Sequence, residues 1–455
     1  MVRQILSKLE YTPLQGQLQL VNALANFAKN RKNLDTFLLN GYAGTGKTSI
    51  MGAFVKTLVE NQQNVVVLAP TGRAAKVASG FAGFPALTIH KRIFRPDTNT
   101  PEASYFPVPN LDKNTIFIVD EASLITDNPY SGKSLLRHLL RHVHSAPGCN
   151  IIFVGDTAQL PPVGQSDSPA MNPDRLRALG LNPQVFLLDQ PVRQSLESGI
   201  LSLATQIRNT PPEFRHRLPV MNVKGYEDVS VVSPSEMEDF ISTSWSSVGI
   251  EETLIITRSN YRANNINAAV RRLVMEADSP LQRGDRIVVS KNDYFWSKKN
   301  KLPQFIANGE IAIVDWVGKY EKRYGRFFAD VELTLVSDNS KISSKLMLRS
   351  LVCDGPSIPS EEMNRFYNLV LAESDADSLS GKIKATLENP YYNALQAKYG
   401  YCVTCHKAQG GQWKHVYIDM TGIKEENVND DFYRWLYTAL TRATDRVFLI
   451  GPPEA

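Results

Sequence analysis

Cysteine is scarce in this chain. Four residues in 455 cannot build a disulfide framework, which excludes a stapled secreted scaffold and points to a reducing cytoplasm. Long apolar runs are missing too: none reaches the ~18 residues needed to span a bilayer. The opening MVRQILSKLEY has no apolar core followed by a small-residue cleavage site, so neither a membrane span nor a secretory signal is expected. Nor is there an excess of one charge, since 50 Lys and Arg stand against 46 Asp and Glu, a net +4. That balance excludes a histone-like tail and permits a grip on a polyanion, but does little to separate nucleic acid from metabolites as the partner. Internal repeats and low-complexity tracts are absent as well.

What is present is an ordinary globular mixture, 43% hydrophobic and 21% charged, in a chain long enough for two to four compact units. Short β-branched runs recur at Phe37–Asn40, Val65–Ala69, Ile116–Val119 and Ile151–Val154. Continuous apolar runs of this length suit strands buried on both faces of a parallel sheet. Helix-forming stretches, Ser49–Glu60 and Gly72–Ser79, separate them, so a βαβ array is predicted. A second array follows Pro191, with strands predicted at Leu254–Thr257, Val416–Ile418 and Val447–Ile450 and a helix at Tyr261–Met275. Between these, from about 285 to 352, short alternating segments suggest a small β-barrel-like insertion. Pro96–Pro109 is a proline-rich excursion within the first array.

Gly41-Tyr-Ala-Gly-Thr-Gly-Lys-Thr48 matches GxxxxGK[ST] and lies between a strand and a helix, as a phosphate-binding loop requires. Its glycines let backbone N–H groups turn toward phosphate oxygens, and the helix N-terminus adds positive potential. On this reading ATP is held by Gly41, Gly44, Thr45, Gly46, Lys47, Thr48 and Ser49, and Thr48 also ligates Mg²⁺. Asp120-Glu121 ends the apolar run Ile116–Val119. There Asp120 would hold Mg²⁺ and Glu121 would orient and deprotonate the attacking water; taken alone, the pair also reads as two solvated carboxylates at a strand end. Charge developing on the γ-phosphate calls for a cation; Arg193 in Asp189-Gln-Pro-Val-Arg-Gln194 and Arg442 in Tyr437-Thr-Ala-Leu-Thr-Arg442 are the candidates, although an arginine read alone is usually a surface residue.

Further strings follow in order: Ala69-Pro-Thr-Gly-Arg-Ala-Ala75, Thr88-Ile-His-Lys91, Gly155-Asp-Thr-Ala-Gln-Leu-Pro-Pro-Val163, Thr404-Cys-His-Lys-Ala-Gln-Gly410 and Ala439-Leu-Thr-Arg-Ala443. Together with the phosphate loop, this set resembles the ordered motifs of superfamily 1 DNA helicases. It looks most like the RecD-like and Dda-like branch, over nearly the whole chain. The resemblance implies two RecA-like α/β motor domains, residues 1–190 with a hairpin inserted at 92–111, and residues 191–455 with an SH3-like β subdomain inserted at about 285–398. It implies ATP-driven 5′-to-3′ movement along single-stranded DNA and unwinding of forked or tailed duplex. A monomer is implied, in a bacterial or phage-encoded, nucleoid-associated setting and with single-strand-binding, repair or replication proteins as partners.

Residue roles follow from the same resemblance. Gln15 matches the glutamine that reads adenine, Gln159 the γ-phosphate sensor, and Arg193 and Arg442 the arginine fingers. Gly410, with Gln409, matches the segment coupling ATP to DNA. Pro70, Thr71 and Arg73 match one DNA-backbone contact, Thr88 and His90 a second, and Thr404 and His406 a third. Read singly, the threonines are also ordinary helix or turn caps, and the histidines ordinary structural ones. Tyr105 or Phe106 would stack on the junction base pair, unless that excursion is a plain surface loop. Where relatives carry a glutamate that reaches the ribose, this chain has Gln412. Cys402 and Cys405 lack the second ligand pair that a zinc site needs. The His-rich run from Arg137 to His144 is expected on a solvated helix. Two other functions stay open: a protein-stripping translocase that unwinds poorly, and a non-motor P-loop switch. RNA as substrate also stays open.

Overall fold

A computed structural model describes residues 1–96, 105–127, 134–192, 198–302 and 305–452. It divides into two compact units: one of residues 1–95, 107–234 and 408–455, the other of residues 96–106 and 235–407.

The first unit opens with β1 (Asp35–Gly41), β2 (Val65–Ala69) and β3 (Ala86–Thr88), and two short strands, β4 (Phe94–Pro96) and β5 (Tyr105–Pro107), follow where the chain passes into the second unit and back. Then come β6 (Ile116–Val119), β7 (Asn150–Gly155) and β8 (Asn182–Leu188). Six of these form a parallel sheet in the order β3-β2-β6-β7-β1-β8. Period-two alternation explains the continuous apolar runs. Phe37, Leu39, Ile116, Ile118, Ile152 and Val154 point to one face, against the helices Gln15–Asn30 and Lys47–Glu60. Leu38, Phe117, Val119, Ile151 and Phe153 point to the other, against Leu135–His144. Both faces are covered, so every position on a central strand is apolar.

The Leu135–His144 helix corrects one expectation. It is not a solvated charge run, because Leu136, Leu139, Leu140 and Val143 enter the core at helical spacing. His142 goes in with them, 7% exposed, with Nδ1 3.0 Å from the Val108 carbonyl.

The first unit also takes in three parallel strands, with Ala443–Ile450 between Trp413–Asp419 and Val229–Val232. In the second unit Thr253–Thr257 pairs in parallel with Cys402–Thr404. There too a five-stranded antiparallel sheet joins Lys341–Met347, Arg326–Leu335, Ile311–Arg323, Arg286–Val289 and Ala397–Tyr399 in that order. Helices Ser360–Ala372 and Leu379–Leu387 follow the Lys341–Met347 strand; Phe366, on the first, packs on Phe328 and Met347 of the sheet. Among the described residues, no helix is long and apolar enough to cross a membrane.

Candidate active site

β1 delivers the chain into the phosphate loop at Gly41, and the next helix starts at Lys47. Two glycines make the turn: Gly44 at φ +73° and Gly46 at φ +86°, in the left-handed region that side chains disfavour. Gly46 is constrained twice, because a Cβ there would lie 2.6 Å from Gln17 Nε2 and 3.1 Å from the Tyr11 hydroxyl. The Lys47 stem crosses Gly41, and its ammonium donates to the Tyr42 carbonyl at 2.9 Å. The Thr45 hydroxyl donates to the same carbonyl at 2.8 Å. Thr48 is partly buried and Ser49 exposed at the helix start.

The glutamine that grips this loop is Gln17. It is 1% exposed; Nε2 donates to the Thr45 carbonyl at 2.8 Å and Oε1 accepts from Leu14 N–H at 2.9 Å. Gln15 is exposed on the first turn of the same helix.

β6 ends beside β2, where Asp120 N–H donates to the Leu68 carbonyl and Asp120 Oδ1 accepts from Glu121 N–H at 2.9 Å. Burial, then the Glu121 charge, pushes the Asp120 carboxyl up to about 6, and Lys47 pulls it the other way. Lys47 and Asp120 are therefore within electrostatic reach of each other. Glu121 is left-handed at φ +50°, a conformation costly for a residue with a side chain and often retained at functional sites.

β7 leads to Asp156, 1% exposed, and Gln159, 5% exposed. Asp156 Oδ1 accepts from Ala158 N–H at 3.0 Å. The Gln159 carboxamide oxygen is buried without a hydrogen-bond partner. Over this segment lies the helix Asp430–Leu440. The Tyr437 hydroxyl donates to Asp156 Oδ2 at 2.6 Å and accepts from the phosphate-loop Ala43 N–H at 3.0 Å. Thr438 Oγ1 accepts from Leu160 N–H at 2.8 Å, and Gln409 Nε2 donates to the Leu160 carbonyl at 2.7 Å.

Arg442, just past the helix, is 3% exposed. Its guanidinium donates to the Thr438 and Gly411 carbonyls and to Thr441 Oγ1, at 3.1–3.2 Å, all neutral acceptors. Arg208 lies 3.9 Å above the Tyr42 ring. Arg193 falls outside the described residues.

Gly410, at φ +71°, presses on the turn before the Gly72–Ala82 helix: a Cβ there would sit 3.1 Å from Ala74 Cβ and 3.3 Å from Thr71 Oγ1. Arg73 is not simply presented to solvent. It stacks 3.8 Å over the Trp413 ring and donates to the Gln412 carbonyl at 2.8 Å.

Thr71 and Thr88 each cap a helix, accepting from Ala74 and Lys91 N–H at 3.2 Å, and Thr404 precedes the short helix Cys405–Ala408. Pro70 is partly buried beside the first of these caps. His90 is partly buried against Phe94, ring centroids 5.8 Å apart, and burial pushes its imidazole below the ordinary range. His406 is exposed. Burial, and then the nearby Lys398, push the Lys407 ammonium down to about 8, on a small cavity that Asn260, Asn264, Asn267 and Thr404 also line. At the excursion, Val108 N–H donates to the Ile93 carbonyl at 2.9 Å and Phe106 is 51% exposed. Residues 97–104 and the Tyr105 side chain lie outside the described set.

Residues 15–220 match the AAA domain family and residues 399–450 the UvrD-like helicase C-terminal domain. ATP-dependent DNA helicase dda of Enterobacteria phage T4 is 25% identical over 285 residues, 61% of this chain and 61% of that protein. The ATP-dependent RecD2 DNA helicase of Deinococcus radiodurans is 24% identical over 437 residues, 92% of this chain and 47% of that protein. The chain is a homologue of the Dda and RecD2 DNA helicases. Its matched length is under two thirds of either relative. The crystal structure of Pif1 helicase from Bacteroides in complex with ADP-AlF3 and ssDNA superposes with a TM-score of 0.50, 16% identity and coverage of 98% of this chain and 94% of that one. At that identity it speaks for the fold alone: α/β, with the parallel sheets of two RecA-like motor domains.

Within the superfamily 1 pattern, the structure adds Gln17, Asp156, Arg208, Tyr437 and Thr438 to the residues around the loop. Asp156, Tyr437 and Thr438 stand inside motif strings, where a sequence shows that they are near the site but not what they touch. Gln17 and Arg208 carry no local signal.

Proposed function

We propose that the protein is an ATP-dependent DNA helicase that moves 5′-to-3′ on single-stranded DNA and unwinds forked or tailed duplex. The observation that carries this reading is the joining of the phosphate loop, Asp156 and the helix leading to Arg442 in one hydrogen-bonded cluster. Lys47 would leave the Tyr42 carbonyl for the β- and γ-phosphates, Glu121 would orient and deprotonate the attacking water, and Arg442 would meet charge developing on the γ-phosphate. Arg193 would be the second finger, Gln159 the γ-phosphate sensor, and Gln15 the reader of adenine.

Thr48 and Asp120 would hold Mg²⁺, and their hard oxygen donors suit that ion. Bound with ATP, it would neutralise phosphate charge. On the DNA side, Thr71 with His90 and Thr404 with His406 would grip backbone in alternation, at helix N-termini whose N–H groups attract phosphate without reading sequence. A monomer working with single-strand-binding or repair proteins in a bacterial or phage setting completes the reading.

Fork unwinding with ATP and Mg²⁺, on duplexes carrying only a 5′ or only a 3′ tail, tests it. Strand release from the 5′-tailed substrate alone is expected; release from the 3′ tail alone would overturn the direction, and ATPase indifferent to DNA would overturn the motor. The exposure of Phe106 suits a separation pin; a translocase that unwinds weakly is the reading without one. Replacing Tyr105 and Phe106 by alanine separates the two. If they form a separation pin, unwinding falls about tenfold or more, since each lost stacking contact is worth about 1–3 kcal/mol, while ATP-driven translocation persists.

Lys407 offers another check. A partly buried ammonium whose value is pushed down costs the fold stability while it is charged. Stability should therefore rise with pH from about 8 toward the ordinary lysine value of about 10.4. Lys407→Met is expected to stabilise by about 1–2 kcal/mol in urea melts at pH 7.5 and to lose that pH dependence.

A further inference from the structure

We propose that the Tyr437 hydroxyl is a positioning group that couples the phosphate loop to Arg442, holding Ala43 N–H and the Asp156 carboxylate at once. The inference rests on the reading of the protein as an ATPase. Tyr437 is 2% exposed. A phenol has one proton to give, so donating to Asp156 Oδ2 at 2.6 Å fixes its orientation and leaves its lone pairs for Ala43 N–H at 3.0 Å. One oxygen thus ties together positions 394 residues apart.

The two segments it joins are the ones nearest the chemistry. Ala43 sits in the loop between Tyr42, whose carbonyl holds Lys47, and the left-handed Gly44. Asp156 opens the segment that ends at Leu160, and the same helix grips the far end, with Thr438 Oγ1 accepting from Leu160 N–H at 2.8 Å. Gln159, its carboxamide oxygen buried and unpartnered, is enclosed between these two grips. The Thr438 carbonyl in turn accepts from Arg442 Nε at 3.1 Å. A shift of the phosphate loop or of the Asp156 segment is therefore carried through Tyr437 and Thr438 to the guanidinium.

Packing alone would be met by phenylalanine. The hydroxyl adds a partner for a partly buried N–H and for a buried carboxylate oxygen. ATP binding in the ground state draws on Lys47 and on the loop amides beyond Ala43, and the phenol bonds to none of these. Hydrolysis needs Arg442 in register. The hydroxyl should therefore act on kcat and not on KM.

The test is Tyr437→Phe in the full chain, with steady-state ATPase measured with and without oligo(dT), alongside Asp156→Asn and the double variant. The expected result is kcat lowered about 10- to 100-fold with KM for ATP within about threefold. On the Asp156→Asn background, Tyr437→Phe should cost less than it does in wild type, because the two variants share the bond between these side chains, while the bond from Ala43 N–H is lost only with the phenol. Three outcomes would overturn the inference: kcat within twofold of wild type with only a lowered melting temperature, a KM effect with kcat kept, or a full second loss in the double variant. Wild-type hydrolysis that ignores oligo(dT) would overturn the motor reading instead, and the kcat ratio of variant to wild type would still decide the role of Tyr437.

Discussion

Alanine in place of Arg442 is expected to lower kcat for ATP hydrolysis by about 10³-fold or more while nucleotide affinity changes only several-fold, the pattern of a cation that acts on the transition state. The case rests on how the guanidinium is kept. It is almost wholly buried, yet its acceptors are two carbonyls and a threonine hydroxyl. No carboxylate lies within ion-pair distance of it among the described residues. Arg271 shows the contrasting arrangement: it meets Asp285 through two hydrogen bonds of 2.9 Å and is neutralised there. Burying a charge without a counter-ion is expensive, and the cost is reasonable only if an anion arrives during the working cycle. Steady-state ATPase, with binding of a fluorescent ADP analogue as the control for folding and affinity, measures the effect. Arg442→Lys should recover only part of it, since an ammonium keeps the charge but not the fork of donors. If Arg442→Ala kept kcat, the residue would be a structural tie between Gly411 and Thr438, and the phosphoryl-transfer role would pass to Arg193.

The parallel sheet was legible because its signal is local. Val65–Ala69, Ile116–Val119 and Ile151–Val154 are apolar at every position since helices cover both faces, and the structure has strands at each. The phosphate loop was legible for a related reason: its glycines answer to backbone geometry at fixed spacing, as Gly44 and Gly46 show. The contacts that assemble the site were not. Gln17 looks like any polar residue on a helix until its amide is seen on the Thr45 carbonyl. Tyr437 and Ala43 belong to motifs at opposite ends of the chain, and no pattern in either predicts that an N–H of one meets the hydroxyl of the other. The Arg137–His144 run misled for a physical reason. Its leucines at helical spacing decide which side is buried, and a histidine on the inner flank goes in with them when a carbonyl such as that of Val108 is there to receive it. Arg73 is a subtler case, since its motif implies a contact with DNA backbone and gives no sign of the Trp413 ring and Gln412 carbonyl that engage it within the protein.

Lys47→Ala is expected to reduce hydrolysis by about 10²–10³-fold and to abolish unwinding, with the protein still folded. Folding should survive because, among the described residues, the ammonium makes a single hydrogen bond, to the Tyr42 carbonyl, at a partly exposed position. Activity should not survive, since no other ammonium is placed on this loop to meet the β- and γ-phosphates. A second readout separates loss of the charge from damage to the loop. Lys47 holds the Asp120 carboxyl down against the burial and the Glu121 charge that raise it to about 6. Without Lys47 that carboxyl should keep its proton to higher pH, so any residual Mg²⁺-dependent hydrolysis should gain its acid limb at higher pH than in wild type. Stability should follow the same sign. Below about pH 4 the carboxyl is protonated in folded and unfolded chains alike, and the charge at Lys47 gains nothing from it. As pH rises through about 6 the carboxylate forms beside Lys47 in wild type and beside nothing in the variant, so the gap between their melting temperatures should open across that window. Equal melting curves from pH 5 to 8 would mean that Lys47 and Asp120 do not sense each other, and the two halves of the phosphate site would then have to be brought together by the nucleotide.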